Sequence, residues 1–281
     1  MDSPSFLTRL PSRAVISITG DEARDFLQRV VTNGPQGVEP GRALASALLT
    51  PQGKVLADLV FFDDGAGGLY VDMPAGEAES LLKRFTLYRL RAKAQLALRT
   101  DLAVAAARGE EGVTALQAAA LSISPDPRDA RLGLRAIIRL DAGLPLDRAG
   151  HDAARIALSV PELGVDYGPS DLFSTDVNHD LLNAINYRKG CFVGQEVASR
   201  MHRKGGVRKR TVRVRGEGPL EVGTPLLAGD VPLGEMMGVS GSEGLALIRT
   251  DRYAQALQEG RPVSAGAQTV QIILPEQEKA P

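Results

Sequence analysis

An α+β fold ending in a small β-barrel is what this 281-residue chain predicts, and three observations carry that expectation. Apolar residues in the first hundred positions switch between helical and strand periods. From Asp101 onward the alternation partly repeats. Beyond Gly206 it gives way to short alternating segments separated by Gly and Pro, the pattern of a small barrel. The chain therefore divides into 1–100, a first ferredoxin-like α+β unit, 101–206, a second α+β unit ending in a cysteine-centred motif, and 207–275, the barrel.

Residues 14–18 form a short apolar strand, and Gly20-Asp21 opens a helix because Ala23, Phe26, Leu27, Val30 and Val31 recur at helical spacing. Asn33-Gly34-Pro35 ends it. Residues 43–49 and 55–62 read as strands joined by Thr50-Pro51-Gln52-Gly53, with Pro presetting the turn and Gly following at a favoured position. A glycine-rich turn at 65–68 leads to a strand at 69–73, a helix carrying Leu81, Leu82, Phe85 and Tyr88, and alternation again over 92–98. This order matches a ferredoxin-like sheet with one additional strand and helices on one face. The second unit reads as a strand to Ala107, a helix near 113–120, a Pro-rich turn at 125–127 and a strand near 132–140. Residues 161–179, rich in Pro, Gly, Asp and Ser, read as a surface loop. In the last unit, strands are expected at 211–214, 225–227, 237–239, 245–248 and 269–274.

Charge and composition narrow the function classes. With 33 basic and 34 acidic side chains the net charge is −1, so an anionic partner must be held by a local patch rather than by the whole field. No stretch approaches the roughly 18 apolar residues of a membrane span. One cysteine excludes a disulfide framework and a Cys-only metal site within one subunit, and with no signal pattern it points to a reducing compartment. His151, His179 and His202 show no i, i+4 metal spacing, and neither a Walker loop nor a dinucleotide fingerprint is present.

The single Cys sits in Arg188-Lys189-Gly190-Cys191-Phe192-Val193-Gly194-Gln195-Glu196. Bracketing glycines allow tight backbone conformations, and Val193, Val197 and Met201 at fourfold spacing suggest a short helix just after the thiol. A helix N-terminus beside Arg188 and Lys189 would favour the thiolate, whereas a lone Cys is otherwise most often an inert buried side chain. From Arg188 to Arg215 there are ten basic residues against one acid, Glu196. That segment is either an anion-binding surface or a solvated strand face. No aromatic residue lies between Met201 and Arg215, which disfavours base stacking on nucleic acid.

The run from Lys189 to Glu196 resembles the signature of the YgfZ family of folate-binding, iron–sulfur cluster maturation proteins, relatives of the glycine-cleavage T-protein aminomethyltransferases. Gly20-Asp21-Glu22-Ala23, Phe26-Leu27-Gln28 and Val31-Thr32-Asn33 resemble its first helix. Leu48-Leu49-Thr50-Pro51-Gln52-Gly53-Lys54 with Asp58 resembles its hairpin, Tyr88-Arg89-Leu90-Arg91 fits the strand start after the second helix, and residues 207–274 fit its barrel. The resemblance implies two ferredoxin-like units forming a folate-binding region and a central cavity with Cys191 as the functional thiol. Lys189, Gly190, Phe192, Gly194, Gln195 and Glu196 would shape the motif. Arg188, Arg200, Arg203 and Lys204 are candidates for holding a folate's glutamate tail.

One departure stands out. T-protein relatives carry Arg-x-Glu-x-Gly, whose carboxylate binds the pterin edge, and the matching stretch here is Arg155-Ile156-Ala157-Leu158-Ser159. Ala157 cannot accept those hydrogen bonds, so tetrahydrofolate is expected to bind weakly. The resulting expectation is a cytoplasmic bacterial maturation factor, non-enzymatic rather than enzymatic on balance and a folate-dependent transferase if an enzyme, with the mitochondrial matrix as the less favoured location. Its partners would be iron–sulfur client enzymes or cluster-assembly proteins and a reduced folate, with no membrane and no stably bound metal. The alternatives are a tetrahydrofolate-dependent aminomethyltransferase-like enzyme and a tRNA or nucleic-acid binding module.

Overall fold

Strand alternation gives the first sheet two apolar faces, and the fold buries both. In the computed structural model, which describes residues 4–203 and 207–275, the elements of the first half are β1 (Phe6–Arg9), β2 (Arg13–Thr19), α1 (Ala23–Gln28), β3 (Leu44–Leu49), β4 (Val55–Asp63), β5 (Leu69–Pro74), α2 (Ala78–Arg89) and β6 (Gln95–Leu98). The sheet order is β3-β4-β5-β2-β6 with antiparallel neighbours. This is the expected ferredoxin-like arrangement, with β3 as the added edge strand. Leu59 and Phe61 of β4 face α1 and α2, where Phe26 and Phe85 meet edge to face at 6.4 Å. Val60 and Phe62, alternating with them, pack against the second sheet.

That second sheet runs β1-β7-β9-β8, from β7 (Leu102–Arg108), β8 (Ala120–Pro125) and β9 (Leu134–Arg139), with α3 (Glu110–Ala119) and α4 (Ala149–Ala157) in the same unit. Its fourth strand comes from the N-terminus: β1 pairs antiparallel with β7, Phe6 opposite Arg108. The sequence division assigns these residues to the first unit, because four residues carry no sign of a distant partner. On β7, Leu102, Val104 and Ala106 face the first sheet, while Ala103, Ala105 and Ala107 give α3 a shallow surface on which Leu116 is buried.

After α5 (Gln195–Arg203), the strands β10 (Lys209–Gly216), β13 (Glu243–Arg249), β12 (Val231–Ser240), β11 (Pro225–Ala228), β14 (Val263–Ala265) and β15 (Gln268–Ile273) close in that order into a six-stranded barrel. Periodicity leaves β14 and α6 (Thr250–Gln258) unassigned. Tyr253 and Ala256 of α6 are buried in the barrel core.

The stretch from Leu158 to Gly194 has neither helix nor strand among its assigned elements, as expected for 161–179, yet it is not a surface loop. Glu162, Ser174, Thr175, Asp176, Asn178 and His179 are buried. Polar residues are tolerated there because other elements pair with them. Asn178 Nδ2 donates to the carbonyls of Ser159 at 2.9 Å and Thr211 at 3.0 Å, and Ser12 Oγ donates to Glu162 at 2.6 Å.

Between the sheets lies a chain of buried ion pairs. Arg13 donates to Asp72 at 2.6 Å and to Asp58 at 2.7 Å, and Arg135 reaches the other oxygen of Asp72 at 2.6 Å. Asp126 lies 3.7 Å from Arg135 and is held by Arg128 at 2.7 Å. Burial pushes the Asp126 carboxyl up, but Arg128 and then Arg135 outweigh it and hold it near about 2. We expect Asp72→Asn to destabilise the protein by about 3–5 kcal/mol in urea unfolding, because Arg135 would keep its burial and lose its near carboxylate. A cost under about 1 kcal/mol would show that the bridge is not structural.

Candidate functional site

The cysteine loop is anchored by an inward aromatic side chain. Phe192 is buried in a cluster with Ala47, Leu49, Val55, Leu163, Tyr167, Val177 and Ala198, while Cys191 beside it is exposed. The loop before it is fixed by residues of the Val31-Thr32-Asn33 motif. Thr32 Oγ1 donates to the Ala184 carbonyl at 2.6 Å, the Asn186 amide to the Thr32 carbonyl at 3.1 Å, and Asn33 Nδ2 to the Asn183 carbonyl at 3.0 Å. Asn186 Oδ1 in turn accepts from the amides of Arg188 at 2.9 Å and Lys189 at 3.1 Å.

The two motif glycines differ. Gly194 has φ +79°, and a Cβ there would lie 2.5 Å from the Thr50 carbonyl oxygen. The β3–β4 turn thus approaches too closely for any side chain. On the other side of this contact, a Cβ on Gly53 would meet Val197 of α5 at 2.9 Å. Gly190 has open space around it, so the conformational demand expected of both glycines falls on Gly194 alone.

Lys189 turns back toward the core. Its Nζ donates to the Gln28 carbonyl and lies 5.2 Å from the Phe192 ring centre. Burial pulls its ammonium down to about 8, with the neighbouring Cys191 opposing that shift. The Lys189 cation therefore lies near enough to the exposed thiol to interact with it, although it points inward. The helix begins at Gln195, a turn beyond the thiol, so Cys191 is not at the helix N-terminus as the fourfold valine spacing suggests. Glu196 is exposed and Gln195 half-buried in the first turn of α5. Tyr187 and His202 stack at 3.9 Å with planes 13° apart, fastening the far end of α5 to the loop. Neither this stack nor the Lys189–Gln28 contact has a local sequence signal, because both join residues distant along the chain.

The basic run splits in two. Arg210 is paired with Asp180 at 2.8 Å, and Glu243 accepts from both Arg213 and Arg215, each Nε at 3.0 Å. Arg210, Arg213 and Arg215 are thus met by acids from other parts of the fold, whereas Arg208 and Lys209 are exposed. Arg188, Arg200 and Arg203 remain exposed on the loop and on α5; Lys204 lies outside the described residues.

Between the 158–194 stretch and the barrel, where a central cavity is expected, a cleft of about 610 Å³ is lined by Asp166, Asp171, Lys209, Met237 and Arg252 but not by Cys191. The enclosed space between the sheets and the 158–194 stretch is lined by Arg13, Asp58, Arg128, His179 and Leu182 but not by Cys191, and measures about 10 Å³, room for about one water. Its guanidiniums are already paired. Ala157 lies instead at a separate cleft of about 520 Å³ with Arg213, Arg215 and Glu243, whose carboxylate those two arginines hold. A pterin edge, which needs a free acceptor for its N–H groups, does not fit the residues present in the enclosed space or beside Ala157. Among the described residues, no three His, Cys, Asp or Glu side chains come together as metal ligands.

Comparison with known proteins places this geometry. The profile of the CAF17 C-terminal beta-barrel domain matches residues 208–279. The mitochondrial iron-sulfur cluster assembly factor IBA57 homolog of Neurospora crassa is 31% identical over 73% of this chain and 52% of its own length. That of Pyricularia oryzae is 33% identical over 72% and 55%, and human mitochondrial IBA57 is 28% identical over 92% and 83%. The chain thus spans about half the length of these fungal relatives. The crystal structure of glycine cleavage system aminomethyltransferase T from Bartonella henselae superposes with a TM-score of 0.72 at 15% identity, over 95% of this chain and 84% of that one.

The relatives' names correct the expected location. They are called mitochondrial proteins, which overturns the cytoplasmic reading; a lone thiol suits a reducing organelle equally well.

Two measurements test the site's construction. Gly194→Ala should cost more than about 1 kcal/mol, since Ala is strained at positive φ and here also meets backbone, whereas Gly190→Ala should stay within about 0.5 kcal/mol; equal costs in denaturant melts would refute the assignment. Burial pulls His179 down to about 4 despite Asp58 and Asp180. The unfolded imidazole, at roughly 6.5, takes a proton first, so this contribution is whole above that pH and is lost as pH falls toward 4. Compared with His179→Asn, the wild type should lose on the order of 3 kcal/mol more between about pH 7 and pH 4. Parallel stability curves would contradict this.

The chain has the glycine-cleavage aminomethyltransferase fold with a closed six-stranded C-terminal barrel, and its homologues are IBA57 iron–sulfur cluster assembly factors.

Proposed function

We propose that this chain acts in iron–sulfur cluster assembly, with Cys191 as the thiol that engages a cluster presented by a partner protein. The observation that carries this reading is the exposed thiol on a pinned loop with a lysine cation beside it. Similarity to proteins named as assembly factors supports the process. A thiolate is the ligand form of cysteine. On coordination the Sγ proton leaves to solvent and the sulfur lone pair goes to iron. One thiolate cannot satisfy a four-ligand cluster, so the remaining ligands come from the partner and the cluster is cargo rather than a resident group. Exposed Arg188, Arg200 and Arg203 complement the negative charge of a thiolate-ligated cluster and its carrier.

This reading needs no folate. One-carbon transfer rests on fold kinship alone, and fold does not carry function. Nucleic-acid binding is less favoured because Asp180 and Glu243 occupy three of the strand cations, Arg210, Arg213 and Arg215, that would track phosphates.

Cys191→Ser should leave the thermal midpoint of the purified protein unchanged. In cells lacking the wild-type chain, the same variant should lower the iron and acid-labile sulfide of client enzymes to the level of the deletion. Client cluster content equal to wild type would remove Cys191 from the mechanism.

A further inference from the structure

At the C-terminal end of α2 the first unit exposes an apolar pair ringed by cations. Leu87 is 73% exposed and Leu90 84% exposed, although Leu81 and Phe85 on the same helix are buried in the core. Lys83 and Arg84 lie four and three residues before Leu87 on the helix and so share its outer face, while Arg91 and Lys93 follow Leu90 just past the helix end. Lys83, Arg84, Arg91 and Lys93 are exposed. Among the described residues none of these four side chains makes an ion pair or hydrogen bond. Glu79, one turn before Lys83, is the nearest exposed acid along the helix.

The backbone adds an independent observation. Leu90 caps the helix at φ 50°, ψ −111°, a conformation a side chain resists and glycine adopts freely. Glycine is the usual residue just past a helix end. A leucine held there, strained and almost fully exposed, gains nothing from the core. Strain of this kind clusters where a residue serves binding.

We infer that the Leu87–Leu90 face is a docking surface for a partner protein that presents an acidic amphipathic helix. Its apolar residues would cover the two leucines, and its carboxylates would meet Lys83, Arg84, Arg91 and Lys93. Charge complementarity sets this choice of occupant: four unpaired cations around two apolar anchors suit a helix with glutamates flanking a leucine stripe. The surface is separate from the cysteine loop and stands whether or not Cys191 engages a cluster.

The test uses the full chain and a fluorescein-labelled synthetic helix with leucines on one face and glutamates elsewhere, followed by anisotropy. Leu90→Gly removes one anchor and relieves the strained backbone, so it should raise the thermal midpoint and weaken probe binding at least tenfold. Arg84→Glu with Arg91→Glu should weaken binding to a similar extent and flatten its salt dependence. Failure of the wild type to bind the probe, or equal binding by Leu90→Gly, would overturn the inference. So would binding to vesicles of phosphatidylcholine and phosphatidylserine that is lost in Leu90→Gly, because that outcome assigns the face to a lipid surface.

Discussion

Asp72 accepts from Arg13 on one oxygen and from Arg135 on the other, and the relation between the two sheets depends on that shared carboxylate. Arg13 and Asp72 are diagonal neighbours near one end of the β2–β5 pair, Arg13 lying opposite Pro74 and Asp72 opposite Val15, whereas Arg135 belongs to β9 of the second sheet. Apolar packing alone lets two sheets slide, since it is non-directional. A fork of guanidinium hydrogen bonds fixes angle and register as well as distance. The space between the sheets can be nearly filled because its charges satisfy one another rather than facing solvent.

The same logic extends outward. Glu162 takes the Ser12 hydroxyl, Arg155 spans Asp152 and Asp166, and Arg210 of the barrel clasps Asp180. The 158–194 stretch is thereby tied to both sheets and to the barrel by polar contacts, and the cysteine loop leaves from its end. A surface thiol on a loop of this length would ordinarily sample many positions; here Phe192, Gly194 and the Asn186 turn restrict it. Preorganisation of this kind is what a transient ligand requires, because an encounter then does not have to order the loop.

Much of this architecture is legible in the sequence, and what is not has a physical reason. The hairpin turn at Thr50–Gly53 and the alternation of β4 are local patterns, and the structure reproduces them. The cysteine motif is contiguous, so its presence is visible, although its outward orientation is not: that follows from which neighbour finds a pocket, and Phe192 does. β1 is invisible because its partner lies on β7. The buried course of 161–179 is misread because Asp, Ser and Asn look solvated until the arginines and carbonyls that pair with them are placed. The run from Arg188 to Arg215 reads as one basic patch, but Asp180 and Glu243, far away in sequence, divide it.

The pairing of Phe6 with Arg108 also bears on how the chain reaches its native state. Roughly a hundred residues must be made before β1 has an edge to join, and closing so long a loop is entropically slow compared with forming hairpins. During synthesis the first sheet can assemble while β7 is still within the ribosome, leaving its inner face of Val15, Val60 and Phe62 uncovered. That face is an aggregation hazard with a definite lifetime, ended by arrival of the second sheet. Because β1 is an edge strand whose sheet neighbour is β7, unfolding by fraying should begin there and expose the β7 edge before the rest of the sheet opens.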